Sequence, residues 1–258
     1  MRSNFQRGIA RLQNLCMRLR VMLQGRVKSF GLYLPYVRGN RGLEIGGPSV
    51  IFRKGNALPI YEEIGRLDNC DFSKSTVWTK HTETFMFSSR KTPGKTLFCD
   101  GSALVDVPDS TYDVVLSSHS LEHFANPVKA LKEWSRVLKP SGALVLVLPY
   151  YRATFDHRRQ PTRVDHMLDD FERQVGEDDL THLPEILEHH DLTKDLAAGS
   201  VQEFHKRSMD NLSNRCLHHH VFDEHNSSEL LSKVGFDVLA LEFRLPFHIC
   251  ILARMVRS

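Results

Sequence analysis

No run of roughly 18 apolar residues occurs anywhere in the chain, so nothing in it reads as a membrane span. The start has no uninterrupted apolar stretch, which argues against a secretory signal. The cysteines Cys16, Cys70, Cys99, Cys216 and Cys250 are odd in number, widely spaced and without a C-x-x-C pair. That pattern argues against a disulfide framework and a cysteine zinc site and fits a reducing compartment, so the expected location is the cytoplasm. The G-x-G-x-x-G turn of an NAD-dependent reductase is missing. The net charge of +3 gives no general attraction to nucleic acid, and none is expected as a partner.

Acidic residues are absent from positions 1–40, which carry Arg2, Arg7, Arg11, Arg18, Arg20, Arg26, Lys28 and Arg38. This arm is +8 and leaves −5 on residues 41–258. Ile9, Leu12, Leu15, Cys16, Leu19, Met22 and Leu23 recur at spacings of three and four, which predicts an amphipathic helix. Gly25 and Gly31 loosen the chain after it, and Pro35 is expected to end any helix before it. Four roles suit residues 1–30: docking at the inner face of an anionic membrane, folding back on the acidic body, pairing two subunits into a homodimer, or acting as a mitochondrial presequence.

Hydrophobic residues make up 41% of the chain and charged residues 25%, the usual balance of a globular protein. From residue 41 strands and helices alternate, predicting an α/β fold with a mostly parallel sheet and helices on both faces. Gly42-Leu43-Glu44-Ile45 is a strand ending at Gly46-Gly47-Pro48-Ser49. Ile64 to Leu67 is a weaker strand ending at Asp68. Residues 69–95 look irregular; Thr96 to Cys99 is a strand ending at Asp100-Gly101-Ser102. Tyr112 to Leu116 follows, then a helix from Pro127 to Leu138 and the apolar run Ala143 to Leu148, typical of a central strand. Residues 151–220 break the rhythm as a charged, histidine-rich helical insert. The helix Glu224 to Val234 and the strands Phe236 to Phe243 and Phe247 to Val256 close the chain as an antiparallel edge hairpin.

A glycine turn after the first strand lets a ligand approach the backbone, and open α/β sheets bind ligands beyond the carboxyl ends of their strands. Those ends carry Asp68, with Glu62, Glu63 and Asp71 as competitors, then Asp100, then Ser117-Ser118-His119-Ser120-Leu121-Glu122-His123. With Tyr112-Asp113-Val114-Val115 and Leu138-Lys139-Pro140-Ser141-Gly142, the stretch 41–150 resembles the methyltransferase-11 branch of the class I S-adenosylmethionine (SAM)-dependent methyltransferases. The resemblance resumes at 221–256 and implies a Rossmann-like fold and SAM as cofactor. It also implies roles: Glu44, Gly46 and Gly47 along the methionine part, Asp68 on the ribose, Asp100, Gly101 and Ser102 at the adenine, and Ser118 and His119 beside the sulfonium. Pro48 departs from the family's E-x-G-x-G turn. The Leu-Glu-Ile-Gly-Gly-Pro-Ser turn and the Thr-Phe-Asp-His-Arg-Arg segment at 154–159 are similar to methyltransferases of bacterial cell-surface polysaccharide clusters.

The expected reaction is O-methylation of a small-molecule or glycan hydroxyl. A histidine with pKa near 6.5 suits proton removal; His119 is the first candidate for that base and His157, beside Asp156, the second. Arg152, Arg158, Arg159 and Arg163 are expected to hold an anionic group of the acceptor under a lid formed by the insert. No histidine spacing there is diagnostic of a metal, and none is assigned. His119 to His123 also spells the H-x-x-E-H of inverted zinc proteases, which would need a helix placing both histidines on one face. A non-catalytic regulatory protein with a SAM-binding fold is the remaining alternative.

Overall fold

The computed structural model describes residues 24–76, 80 and 82–256, so most of the predicted basic helix lies outside the described residues. An eight-stranded sheet forms the centre. Its strands are β1 (Arg41–Ile45), β2 (Arg66–Asp71), β3 (Thr84–Phe85), β4 (Gly94–Phe98), β5 (Tyr112–Ser118), β6 (Leu138–Pro149), β7 (Phe236–Arg244) and β8 (His248–Met255). The order is β3-β4-β2-β1-β5-β6-β8-β7. The five strands from β4 to β6 run parallel, while β3 is antiparallel to β4, and β8 is antiparallel to both β6 and β7.

Successive side chains of a strand point to opposite faces, and here both faces are apolar. In β6, Leu144, Leu146 and Leu148 join one core while Ala143, Val145 and Val147 join the other. The first core is covered by α3 (Pro127–Val137), α4 (Val164–Glu172) and α8 (Glu224–Lys233), through Trp134, Met167 and Leu230 among others. The second is covered by α1 (Phe30–Val37) and the short α2 (Ile60–Glu63). Helix α3 starts where Asn126 caps it, its side chain accepting from the Lys129 amide, with Pro127 in the first turn.

The insert also contains α5 (Leu183–His189), α6 (Val201–Met209) and α7 (Asn211–Asn214). Leu183, Ile186, Ala198, Phe204 and Leu217 give it a small core of its own. None of the helices among the described residues is long and apolar enough to cross a membrane.

Three details differ from the sequence reading. β2 extends to Asp71 rather than ending at Asp68, because Asp68, Asn69 and Asp71 among its buried positions are polar and hid the strand. Pro35 lies inside α1 rather than after a helix; Phe30, Tyr33 and Val37 bury one face and hold the helix through the proline. Residues 24–40, read in the sequence as part of a basic arm, pack on the body. Val27 and Phe30 are buried in the second core, and Glu242 of β7 accepts from the Lys28 and Ser29 amides at 2.9 and 2.7 Å.

Phe30→Ala should therefore cost about 3–5 kcal/mol of folding stability, the range for a truncated buried aromatic, read from urea denaturation. A loss below about 1 kcal/mol would detach this segment from the core.

Candidate active site

The carboxyl ends of β1, β2, β4, β5 and β6 open into a cavity of about 660 Å³, within the range of small-molecule sites. The sheet side presents Gly46, Asp71, Asp100, Gly101, Ser118 and His119, and the insert closes over them with Phe155, Glu177, Arg207, Arg215 and His218.

The first turn is built by Glu44. Its fully buried carboxylate accepts from the Ser49 amide at 3.0 Å, the Ser49 hydroxyl at 2.7 Å and the Tyr61 hydroxyl at 2.7 Å. Burial raises its pKa to about 7 against those hydrogen bonds. Gly47 donates its amide to Asn69 Oδ1 at 2.9 Å, and a β-carbon there would stand 2.4 Å from the Glu44 carboxyl carbon. Glu44 and Gly47 thus shape the turn and do not line the cavity, contrary to the sequence reading. Gly46 does line it. Its φ of +74° favours glycine, and a β-carbon would lie 2.8 Å from Ser120 Oγ.

Asp68 is also displaced from its expected place. It sits in mid-strand, 2% exposed, with Arg41 at 2.9 Å, the Lys95 amide at 3.0 Å and the Tyr112 hydroxyl at 3.2 Å. Asp71, three residues on, ends the strand at the cavity. Asp100 and Gly101 lie where expected, after β4. Ser102 is buried behind them and donates its amide and hydroxyl to Asp100 Oδ1 at 2.8 and 2.7 Å, fixing that carboxylate rather than lining the cavity. Arg215 reaches from the insert to Asp100 at 3.2 Å and to Glu177 at 2.7 Å.

The two expected bases stand in different surroundings. His119 lines the cavity, but burial, with His248 beside it, lowers its pKa to about 3. Its Nε2 lies 2.8 Å from His248 Nδ1. His157 is outside the cavity, pairing with Asp191 at 2.9 Å. Arg152, Arg158, Arg159 and Arg163 are likewise absent from the cavity wall, whose cations are Lys194, Arg207 and Arg215. The H-x-x-E-H reading also fails: Leu121–His123 is a short 3₁₀ turn, and His119 faces His248.

The structure assembles a different group. Asp156 Oδ2 lies 2.6 Å from His218 Nδ1. Arg159, its side chain 1% exposed, pairs with Asp156 at 3.1 Å and donates to the His218 and His219 carbonyls at 2.7 and 3.1 Å. Burial would raise Asp156, but His218 and Arg159 hold it at about 2. Burial lowers His218, and the Asp156 carboxylate outweighs this, leaving the imidazole above its ordinary value. Glu122, His123 and His218 offer ligand atoms within 4.8 Å of one another. Neither Glu122 oxygen has a hydrogen-bond partner, and burial raises its pKa to about 7. Sequence reasoning attached Asp156 to its neighbour His157. The His218-His219-His220 run was visible, but no local spacing links it to a carboxylate 62 residues away.

Residues 55–146 match the family described as a methyltransferase domain. The chain is similar in structure to an S-adenosylmethionine-dependent methyltransferase from Mesorhizobium loti, with a TM-score of 0.51 and 17% identity over 88% of this chain and 95% of that one. A 1,6-didemethyltoxoflavin-N1-methyltransferase from Burkholderia thailandensis, with bound 1,6-didemethyltoxoflavin and S-adenosylhomocysteine, gives a TM-score of 0.48 and 14% identity over 89% of this chain and 79% of that one. No curated protein matches the chain in sequence. The match marks residues 55–146 as a methyltransferase domain, and the likeness in structure shows the shared fold.

Asp68→Ala should lower stability by about 1.5–3 kcal/mol, the scale of hydrogen bonds to a charged partner, while the folded protein keeps its affinity for S-adenosylhomocysteine. Urea denaturation and calorimetry read the two effects separately. Lost affinity at unchanged stability would return Asp68 to the cofactor site.

Proposed function

We propose that the enzyme methylates a hydroxyl of a small molecule or glycan bound under the insert, with His218 taking the acceptor proton. The Asp156–His218 pair at 2.6 Å, whose histidine stands in the cavity wall with Asp156 behind it, carries this reading. A bound SAM supplies an electrophilic methyl on a sulfonium that leaves as a neutral thioether. The cavity suits that cofactor: Gly46 offers bare backbone, and a β-carbon at Gly101 would crowd Phe124 and Ile45 at 3.0 and 3.1 Å. Asp71 would hold the ribose hydroxyls, Asp100 and Gly101 would meet the adenine, and Ser118 and neutral His119 would border the reacting end.

The remaining work is alignment and proton removal. Asp156 fixes the His218 tautomer through Nδ1 and stabilises the imidazolium that forms. His218 Nε2 is thereby left to accept the acceptor proton. Glu122 stands beside it as a second group poised near neutral pH. The glycan class rests on the resemblance of the first turn and the 154–159 segment to polysaccharide-cluster methyltransferases. A panel of sugars and sugar nucleotides, assayed for S-adenosylhomocysteine release, tests it. Methylation of amines alone would reject a hydroxyl acceptor.

For the cofactor site, Gly46→Val should abolish S-adenosylhomocysteine binding, and Asp71→Ala should weaken it by about 1.5–3 kcal/mol. Calorimetry showing normal affinity in both variants would dismiss this placement.

The base gives a pH signature. kcat/KM should fall as pH drops through the His218 pKa, which lies above its ordinary 6.5. Asp156→Asn removes the group that raises it, so the acid limb should move to lower pH and kcat should drop. An unmoved limb in a folded variant would exclude His218 as the base.

A further inference from the structure

The insert gathers a second set of donors away from the cavity. His166 and Asp170 stand at i and i+4 on α4, which places them on one face of the helix. His182 precedes α5, and His220 ends the histidine run. His166 Nε2 lies 3.1 Å from His182 Nε2 and 3.4 Å from Asp170 Oδ2. His220 Nε2 lies 3.6 Å from the same oxygen. All four residues offer ligand atoms within 4.8 Å of one another.

These separations match the edges of a tetrahedron around one ion. Metal–nitrogen bonds of 2.0–2.1 Å in tetrahedral geometry put ligand atoms about 3.3 Å apart. A second observation points the same way. Asp170 Oδ2 is buried and has no hydrogen-bond partner, while the residue is 4% exposed. Buried carboxylates are ordinarily paired, hydrogen-bonded or bound to a cation.

We propose that His166, Asp170, His182 and His220 bind a single divalent transition-metal ion, with zinc as the species favoured by three imidazoles and one carboxylate. Four protein ligands leave no open position, so the ion is structural rather than catalytic. It ties α4, the start of α5 and the segment 218–220 together, two residues from the proposed base. His220 is the adjustable ligand: its Nε2 also lies 3.2 Å from the Ala125 carbonyl, so that nitrogen either donates to the carbonyl or binds the ion. The assignment does not depend on the acceptor or on His218 being the base.

Untagged protein should contain about one equivalent of zinc by elemental analysis. Cobalt loaded in its place should give the intense visible bands of tetrahedral coordination. The H166A/H182A double variant should lose at least tenfold in zinc content, while H218A keeps the ion. A chelator should lower the Tm of the wild-type protein, and zinc should restore it. If the double variant does not fold, the cobalt spectrum and chelator response of the wild type decide the question. Wild-type protein that takes up neither zinc nor cobalt, an octahedral cobalt spectrum, or an ion lost with H218A but kept in H166A/H182A would overturn the proposal.

Discussion

One buried guanidinium holds the insert closed. Arg159 lies near the start of the insert, and its donors reach Asp156 and the carbonyls of His218 and His219 near its end. A fixed fork of donors suits this task. Taking the charge out of water costs several kcal/mol, and the Asp156 carboxylate with two carbonyls offsets it. The same contacts align Asp156 with His218, so one interaction both shuts the loop and orients the proposed base. Loss of Asp156 would leave the buried cation with Glu185 at 3.5 Å as its carboxylate partner, and a misdirected imidazole.

The cavity end of the sheet is built on a similar constraint. β1, β2 and β4 end side by side, which brings Gly46, Asp71 and Asp100 to one cavity although they span more than fifty positions of the chain. The buried carboxylate of Glu44 then fixes the curvature of the first turn from behind. Cavity-lining and turn-building contacts belong to different residues, even where they neighbour one another in sequence.

Much of this was legible before any coordinates. The apolar run at 143–148, the capped helix at 127 and the glycine turn after 45 carry strong local signals, and all three lie where expected. Asp68 was misplaced because β2 has Asp68, Asn69 and Asp71 among its buried positions, and a polar strand has no clear apolar period. The dyad and the second histidine cluster were illegible for another reason. Their members meet only through the closure of a long insert, and sequence spacing carries no information about such a meeting.

The strap formed by residues 24–29 has a further bearing on how copies of the chain can associate. It lies along β7, where Glu242 accepts from the Lys28 and Ser29 amides and Arg244 donates to the Gln24 carbonyl. The opposite margin of the sheet is β3, only two residues long. An exposed strand margin invites ladder formation with another chain, and short or covered margins discourage it. This sheet is blunted on both sides, so extension of the sheet from one copy into another is disfavoured.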